Sequence, residues 1–224
     1  MTEHLVNMLY MRSDPSTPRG DLTAKATIRN AALRLFADRG PDAVTVREVA
    51  IAAAVSPALV MHHFGSKAGL HAAVDEYVAH SFDAVLDALT EDELGDALTG
   101  GDSTSLAEAF VAALPPGSPL PDYLRRLLLT NDPTGDRVFA RWFAECVRVL
   151  VSLEEAGIAR PSKDRRVRAA FLLVNDLATV LLARQLRDAV GIDVQTPAGM
   201  AVWSSEAVDV YAQGAFRARD KGES

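Results

Sequence analysis

The sequence predicts an all-α protein of about nine helices, a small N-terminal three-helix unit followed by a larger helical body. Three observations predict it. Apolar residues recur near a period of 3.6 over most of the chain, capping residues stand at the heads of those runs, and no stretch alternates apolar with polar as a strand does. With 224 residues, 49% of them apolar and 24% charged, the chain can bury a sizeable core, which excludes disordered and collagenous classes. A single cysteine, Cys146, excludes an internal disulfide framework and a cysteine-based zinc site.

Residues 1–22 contain Asp14, Pro15, Pro18 and Gly20 and read as a flexible arm without structure. From Thr23, Ile28, Ala31, Ala32, Leu35 and Phe36 fall on one helical face, and Gly40 with Pro41 stops that helix. Thr45 then opens a short helix carrying Val46, Val49, Ala50 and Ala53, with Glu48 three residues on completing a capping box. Ser56 followed by Pro57 opens a third, proline standing where its missing N–H leaves no bond unmade. Only Ala54 and Val55 separate the second and third helices, so these must cross sharply. Phe64, at the end of the third, is expected in the core.

Ser66 starts a long helix striped by Leu70, Ala73, Val74, Tyr77, Val78, Phe82, Val85, Leu86 and Leu89. At about 1.5 Å per residue it reaches roughly 35 Å, enough to join two bodies. A mobile, acidic and Gly-rich connection is expected at 91–105, then weaker helices at 106–114 and 121–129. A strong helix from Asp136 carries Val138, Phe139, Trp142, Phe143, Cys146, Val147, Leu150 and Leu153 and ends at Gly157. The next is expected to run unbroken from after Ser162 to Gln185. One stripe holds Val167, Phe171, Val174, Leu181 and Leu182, the other Leu172, Leu173, Asp176, Val180 and Ala183, so it needs cover on two faces. The last helix, after Pro197, sets Trp203, Val208 and Tyr211 among small residues that admit a close partner. Two such helices per chain predict a four-helix interface in a twofold homodimer, against the alternative that they pack within one chain.

The opening residues lack a basic, apolar leader, and the most apolar stretch, 171–182, is short and interrupted by Asn175 and Asp176. No membrane span and a cytoplasmic location are therefore expected. Charge is uneven. Residues 19–70 hold seven bases against four acids, a balance of +3, while 71–224 hold 15 bases against 24 acids, and the whole chain stands at −7. An acidic body with one basic end can meet a polyanion end-on.

Two short helices joined by a tight turn behind a packing helix make a helix-turn-helix. The run 23–70, about a fifth of the chain, reads TAKATIRNAALRLFADRGPDAVTVREVAIAAAVSPALVMHHFGSKAGL. It resembles the DNA-binding domain of the TetR family of bacterial transcriptional regulators. The resemblance is carried by ALRLFADRG, by TVREVAIAAAVS, and by HFGSK, in which His63, Phe64 and Lys67 match the family's His-Phe-x-x-Lys. It implies a DNA-binding domain at 23–68 and a ligand-binding and dimerisation domain at 69–224. It also implies that residues early in the third helix, here Pro57, Ala58 and Met61 with His62 nearby, face base edges. The family usually has Leu-Tyr ahead of its x-His-Phe, and this chain has Val60 and Met61. A methionine in place of the tyrosine implies a thymine-methyl contact instead of a phosphate one, and more reliance on DNA shape than on polar readout.

Independently of the family, Thr45, Ser56 and Ser66 each head a helix whose free N–H groups can face phosphate, with Lys67 on the last of them. The alternative for each is a cap and nothing more. Arg47 is a candidate phosphate or base contact, or a solvated arginine; Lys25 and Arg19 are candidates for tracking the backbone or the minor groove from the arm.

The resemblance further implies a small-molecule effector whose binding alters the spacing of two DNA-reading heads, held about 34–36 Å apart in dimeric helix-turn-helix proteins. Phe110, Tyr123, Phe139, Trp142 and Phe143 suit an apolar or aromatic ligand, although such a stripe equally makes a core. Arg141, Asn175 and Asp176 are candidate polar anchors, and for the last two a hydrogen bond across a dimer is the alternative. The effector's identity is not legible. No cofactor is expected. His71 follows His62 by nine residues, which is no metal-ligand spacing on one helix, and no phosphate loop or nucleophile elbow is present, so neither a metal nor catalysis is expected. The reading is a repressor of a pseudo-palindromic operator, released by its effector. The competing one is a helical small-molecule-binding protein whose head grips DNA weakly or not at all.

Overall fold

The structure, a computed structural model, describes residues 19–88, 114 and 117–213. Among them are nine α-helices and no strand: α1 (Arg19–Arg39), α2 (Val46–Ala52), α3 (Pro57–Phe64), α4 (Lys67–Ala88), α5 (Leu120–Leu129), α6 (Pro133–Glu155), α7 (Arg165–Leu181), α8 (Ala183–Val190) and α9 (Pro197–Gln213). The expected helix at 106–114 and the connection at 91–105 lie outside the described residues, apart from Leu114. The described residues fall into two compact units, one containing 19–88 and 117–145, the other Leu114 and 146–213. This division by contact cuts the chain differently from the boundary drawn at residue 68.

In the first unit α1 packs against α2, α3, α4 and α5. Its buried face is Ile28, Ala31, Ala32, Leu33 and Phe36, with Leu35 only half-buried. The helix begins at Arg19, four residues before its expected start, so 19–22 belong to it and not to the arm. The last strong breaker before that point is Pro18, a residue that helices tolerate at their heads. α4 buries Leu70, Val74, Val78, Phe82 and Leu86, one ridge at four-residue spacing. Tyr123 and Leu124 of α5 and Trp142 of α6 complete this core, the Trp142 ring standing edge-on to Phe82 at 5.4 Å.

In the second unit the expected single helix after Ser162 is two. Asp164 caps α7 by accepting from the N–H of Arg166 and Val167, while Ser162 donates its hydroxyl to Glu154. α7 stops at Leu181, and α8 leaves at 77° to it. The cause is local and tertiary together. The Thr179 hydroxyl donates to the Asp176 carbonyl at 2.6 Å, competing for an acceptor of the helix ladder. Beyond the bend, Ala183 and Leu186 pack on Val194, Met200, Ile192 and Trp203, apolar cover that a straight helix would forgo. No single helix among the described residues is long and apolar enough to cross a membrane.

Candidate nucleic-acid interface

The cap of α2 forms as its spacing requires. Thr45 Oγ1 accepts from the Glu48 N–H at 3.2 Å, and Glu48 returns the bond by accepting from the Thr45 N–H at 2.7 Å. Arg39, the last residue of α1, pairs with the same carboxylate at 2.7 Å and ties α1 to α2. The Thr45 N–H, Arg39 and the Thr45 hydroxyl together pull the Glu48 carboxyl down to about 2. Ser56 caps α3 by accepting from Leu59 N–H at 3.2 Å, and Ser66 caps α4 by accepting from Gly69 N–H at 2.9 Å. The turn between α2 and α3 puts Ala54 at φ +55°, a left-handed conformation unusual for a residue with a Cβ.

α3 is anchored by Val60, which is buried, and turns Pro57, Ala58, Met61 and His62 to solvent, Met61 with 43% of its surface exposed. Thr45, Arg47 and Ser56 are exposed as well. Lys25 extends from α1 with its Nζ 5.9 Å above the Phe64 ring. Phe64 is therefore not in the core: it is half-buried, one face closed by a lysine stem and charge. His63 is half-buried, its ring edge-on to His62 at 5.4 Å and to Phe64 at 6.2 Å. Lys67 Nζ donates to the Asp42 carbonyl at 3.0 Å, so this cation also braces the loop between α1 and α2. The sequence-predicted candidates for DNA contact are thus carried by α1, α2, α3, the residues that cap α2 and α3, and the head of α4. Ile51, on α2, is also solvent-facing, with 71% of its surface exposed. The signal for it was present, since Ile51 lies off the stripe of Val46, Val49, Ala50 and Ala53.

The described residues expected to meet a ligand are divided between the two units. Tyr123 is fully buried and its hydroxyl donates to Asp75 Oδ1 at 2.6 Å, and Trp142 is buried against Phe82, both as core residues are. Burial pushes the Asp75 carboxyl up. Phe139 and Phe143 are half-buried, and Arg141 is exposed with its Nε 2.9 Å from Asp83. Phe110 lies outside the described residues. In the other unit, Asn175 Nδ2 donates to the Tyr211 hydroxyl at 2.7 Å, joining α7 to α9. Its neighbour Asp176 is pushed up to about 7 by burial.

Comparison with known proteins agrees with this architecture. Residues 28–74 match the family model described as bacterial regulatory proteins, tetR family. Residues 117–216 match the model of the tetracyclin repressor-like C-terminal domain. The HTH-type transcriptional regulatory protein RaaS of Mycobacterium tuberculosis is 35% identical over 168 residues, 75% of this chain and 74% of that protein. The HTH-type transcriptional repressor Rv3405c of the same organism is 31% identical over 100 residues, 45% of this chain and 53% of that one. Among solved structures, the regulator FadR of Bacillus subtilis in complex with stearoyl-CoA has the same fold, with a TM-score of 0.61 at 12% identity over 85% of this chain and 99% of that one. The paired α2–α3 caps, the solvent-facing start of α3 and these matches lead to one conclusion: the chain belongs to the TetR family and is a helix-turn-helix transcriptional regulator.

Proposed function

We propose that the protein is a homodimeric repressor that lays α3 of each copy into the major groove of a pseudo-palindromic operator and is released by a small-molecule effector. The observation that carries the reading is the presentation of Pro57, Ala58 and Met61 to solvent from a capped helix held from behind by Val60. In this reading Ala58 and Met61 meet base edges and thymine methyls, with His62 beside them. The heads of α2, α3 and α4, at Thr45, Ser56 and Ser66, offer N–H groups to phosphates. Arg47, Lys25 and His63 add contacts along the backbone, and Lys67 reaches a phosphate from its place against the Asp42 carbonyl.

Dimerisation is supported by the second unit. Val167, Phe171, Val174 and Leu182, and on α9 Val202, Val210 and Tyr211, are exposed apolar residues on the helices expected to pair. The effector is proposed to be apolar or aromatic, met within the first unit by Phe139 and Phe143 with Arg141 at its polar end. That FadR is seen with stearoyl-CoA supports an apolar effector without naming this chain's own. A cytoplasmic location goes with this role.

Binding of the full chain to its own upstream DNA, measured across a salt series, tests the proposal. Log affinity should fall linearly with log salt, with a slope of about −0.9 for each phosphate contacted. An absence of salt-dependent binding to any duplex overturns it and returns the reading to a small-molecule-binding protein.

A further inference from the structure

In the first unit, His71 and Asp75 stand one helical turn apart on α4, imidazole Nε2 3.5 Å from carboxylate Oδ1. The turn between α5 and α6 brings Asp132 to them, and one ligand atom from each of the three lies within 4.8 Å of the others. All three side chains are half-buried. We propose that His71, Asp75 and Asp132 form a binding site for a divalent transition-metal ion, with zinc as its type case. The inference stands apart from the operator reading, because none of the three residues belongs to the DNA-facing set.

The donor set carries the choice of ion. One imidazole nitrogen and two carboxylate oxygens suit zinc, manganese, cobalt or ferrous iron, whereas calcium and magnesium favour oxygen alone. Ligands about 2.0–2.2 Å from a common ion lie roughly 3–4 Å from one another, so the pair on α4 already has the required separation. The remaining closure belongs to Asp132, which sits on a turn. Water fills the open positions.

The orientation of the ligands is built in. The His71 ring lies edge-on to Phe36 at 5.7 Å. The fully buried Tyr123 donates its hydroxyl to Asp75 at 2.6 Å, the kind of outer partner that fixes a carboxylate ligand. Asp132 accepts from the Thr134 N–H at 2.8 Å, which holds its carboxylate at the head of α6. Two carboxylates facing each other with only partial access to water repel, and a dication between them removes that repulsion. Arg137 is the competing cation, acting on Asp75 from α6, but it is exposed and can withdraw to solvent. An ion here ties α4, which follows the recognition helix after Gly65 and Ser66, to the α5–α6 turn.

The test uses the full chain freed of metal with a chelator and titrated with cobalt(II), then zinc(II). One equivalent of cobalt should produce visible ligand-field bands that one equivalent of zinc removes, and zinc should raise the thermal midpoint. His71→Ala and Asp132→Asn should each weaken binding by at least about tenfold. The Asp132→Asn side chain keeps an oxygen that can accept from the Thr134 N–H and cap α6, so this variant tests the ligand without testing the fold. His80→Ala, on the same helix but paired with the exposed Glu76, should leave binding unchanged. Cobalt spectra and a thermal midpoint unmoved by metal would overturn the proposal, as would binding that survives both ligand substitutions.

Discussion

At the scale of single residues, the exposed start of α3 offers mainly apolar side chains, Pro57, Ala58 and Met61. Ala58 is exposed on the first turn of α3 and touches no core, so Ala58→Asp changes the surface and leaves the packing alone. It should abolish operator binding with the thermal midpoint and circular dichroism unchanged, because a carboxylate meets the negative groove without a partner. Unchanged operator affinity would show that α3 does not enter it. Arg47→Ala removes one exposed cation and should reduce the magnitude of the salt slope by about one. Lys67→Ala has two consequences and not one. It should weaken binding to every DNA sequence alike, and, since Nζ donates to the Asp42 carbonyl, it should also loosen the α1–α2 loop, seen as faster amide exchange there.

At the scale of elements, the starts of α2, α3 and α4 were legible because caps are local. Thr45, Ser56 and Ser66 announce α2, α3 and α4 within three residues of sequence, and the structure makes each bond. Thr45→Ala should cost about 1 kcal/mol of stability in chemical denaturation. The box also has a pH signature. The Glu48 carboxyl is held down at about 2, so its contribution is complete above the ordinary carboxylate range. It is lost as pH falls through that range toward about 2. Glu48→Gln should flatten the stability profile in that window and leave its alkaline side unaltered in shape. At the α2–α3 turn, Ala54→Gly should stabilise the protein by roughly 0.5–1 kcal/mol, since only glycine holds φ +55° without a Cβ penalty. Gly69 is the converse case. A Cβ there would stand 2.1 Å from the Phe64 carbonyl oxygen, so Gly69→Ala should force α3 and α4 apart. What the sequence did not disclose depends on distant partners. The bend after Leu181 follows from Val194 and Met200, which offer Ala183 and Leu186 a surface no helical period records. Phe64 looked like core by composition, and only the folded chain shows Lys25 lying over it. His71 was weighed against His62, whereas the groups beside it are carboxylates four and 61 residues further on.

At the scale of the whole molecule, the proposed binding of a two-half-site operator requires two heads about 34–36 Å apart, and therefore a contact that couples two copies. Both stripes of α7 were visible as apolar, but period alone did not say which one the chain covers itself. Leu173, Leu177 and Val180 are buried within the protomer, while Phe171 remains 65% exposed and Val174 56%. Asp176 shares that helix. Its carboxyl is raised to about 7 by burial, so the folded chain keeps the proton that the unfolded chain releases. Stability should therefore fall as pH rises from the ordinary carboxylate range to about 7, and Asp176→Asn should remove that fall. The exposed stripe supplies the decisive prediction. Phe171→Glu with Val174→Glu replaces apolar surface already open to solvent, so each protomer should retain its helical content and thermal midpoint. Pairing would instead confront each glutamate pair with its symmetry mate in a desolvated interface, an arrangement of like charge without compensation. Sedimentation should then report a single chain at micromolar concentration, and operator affinity should fall by a factor of more than about a hundred toward that of one head. A dimer that survives this double substitution would place the interface elsewhere on the chain and detach the spacing of the heads from α7.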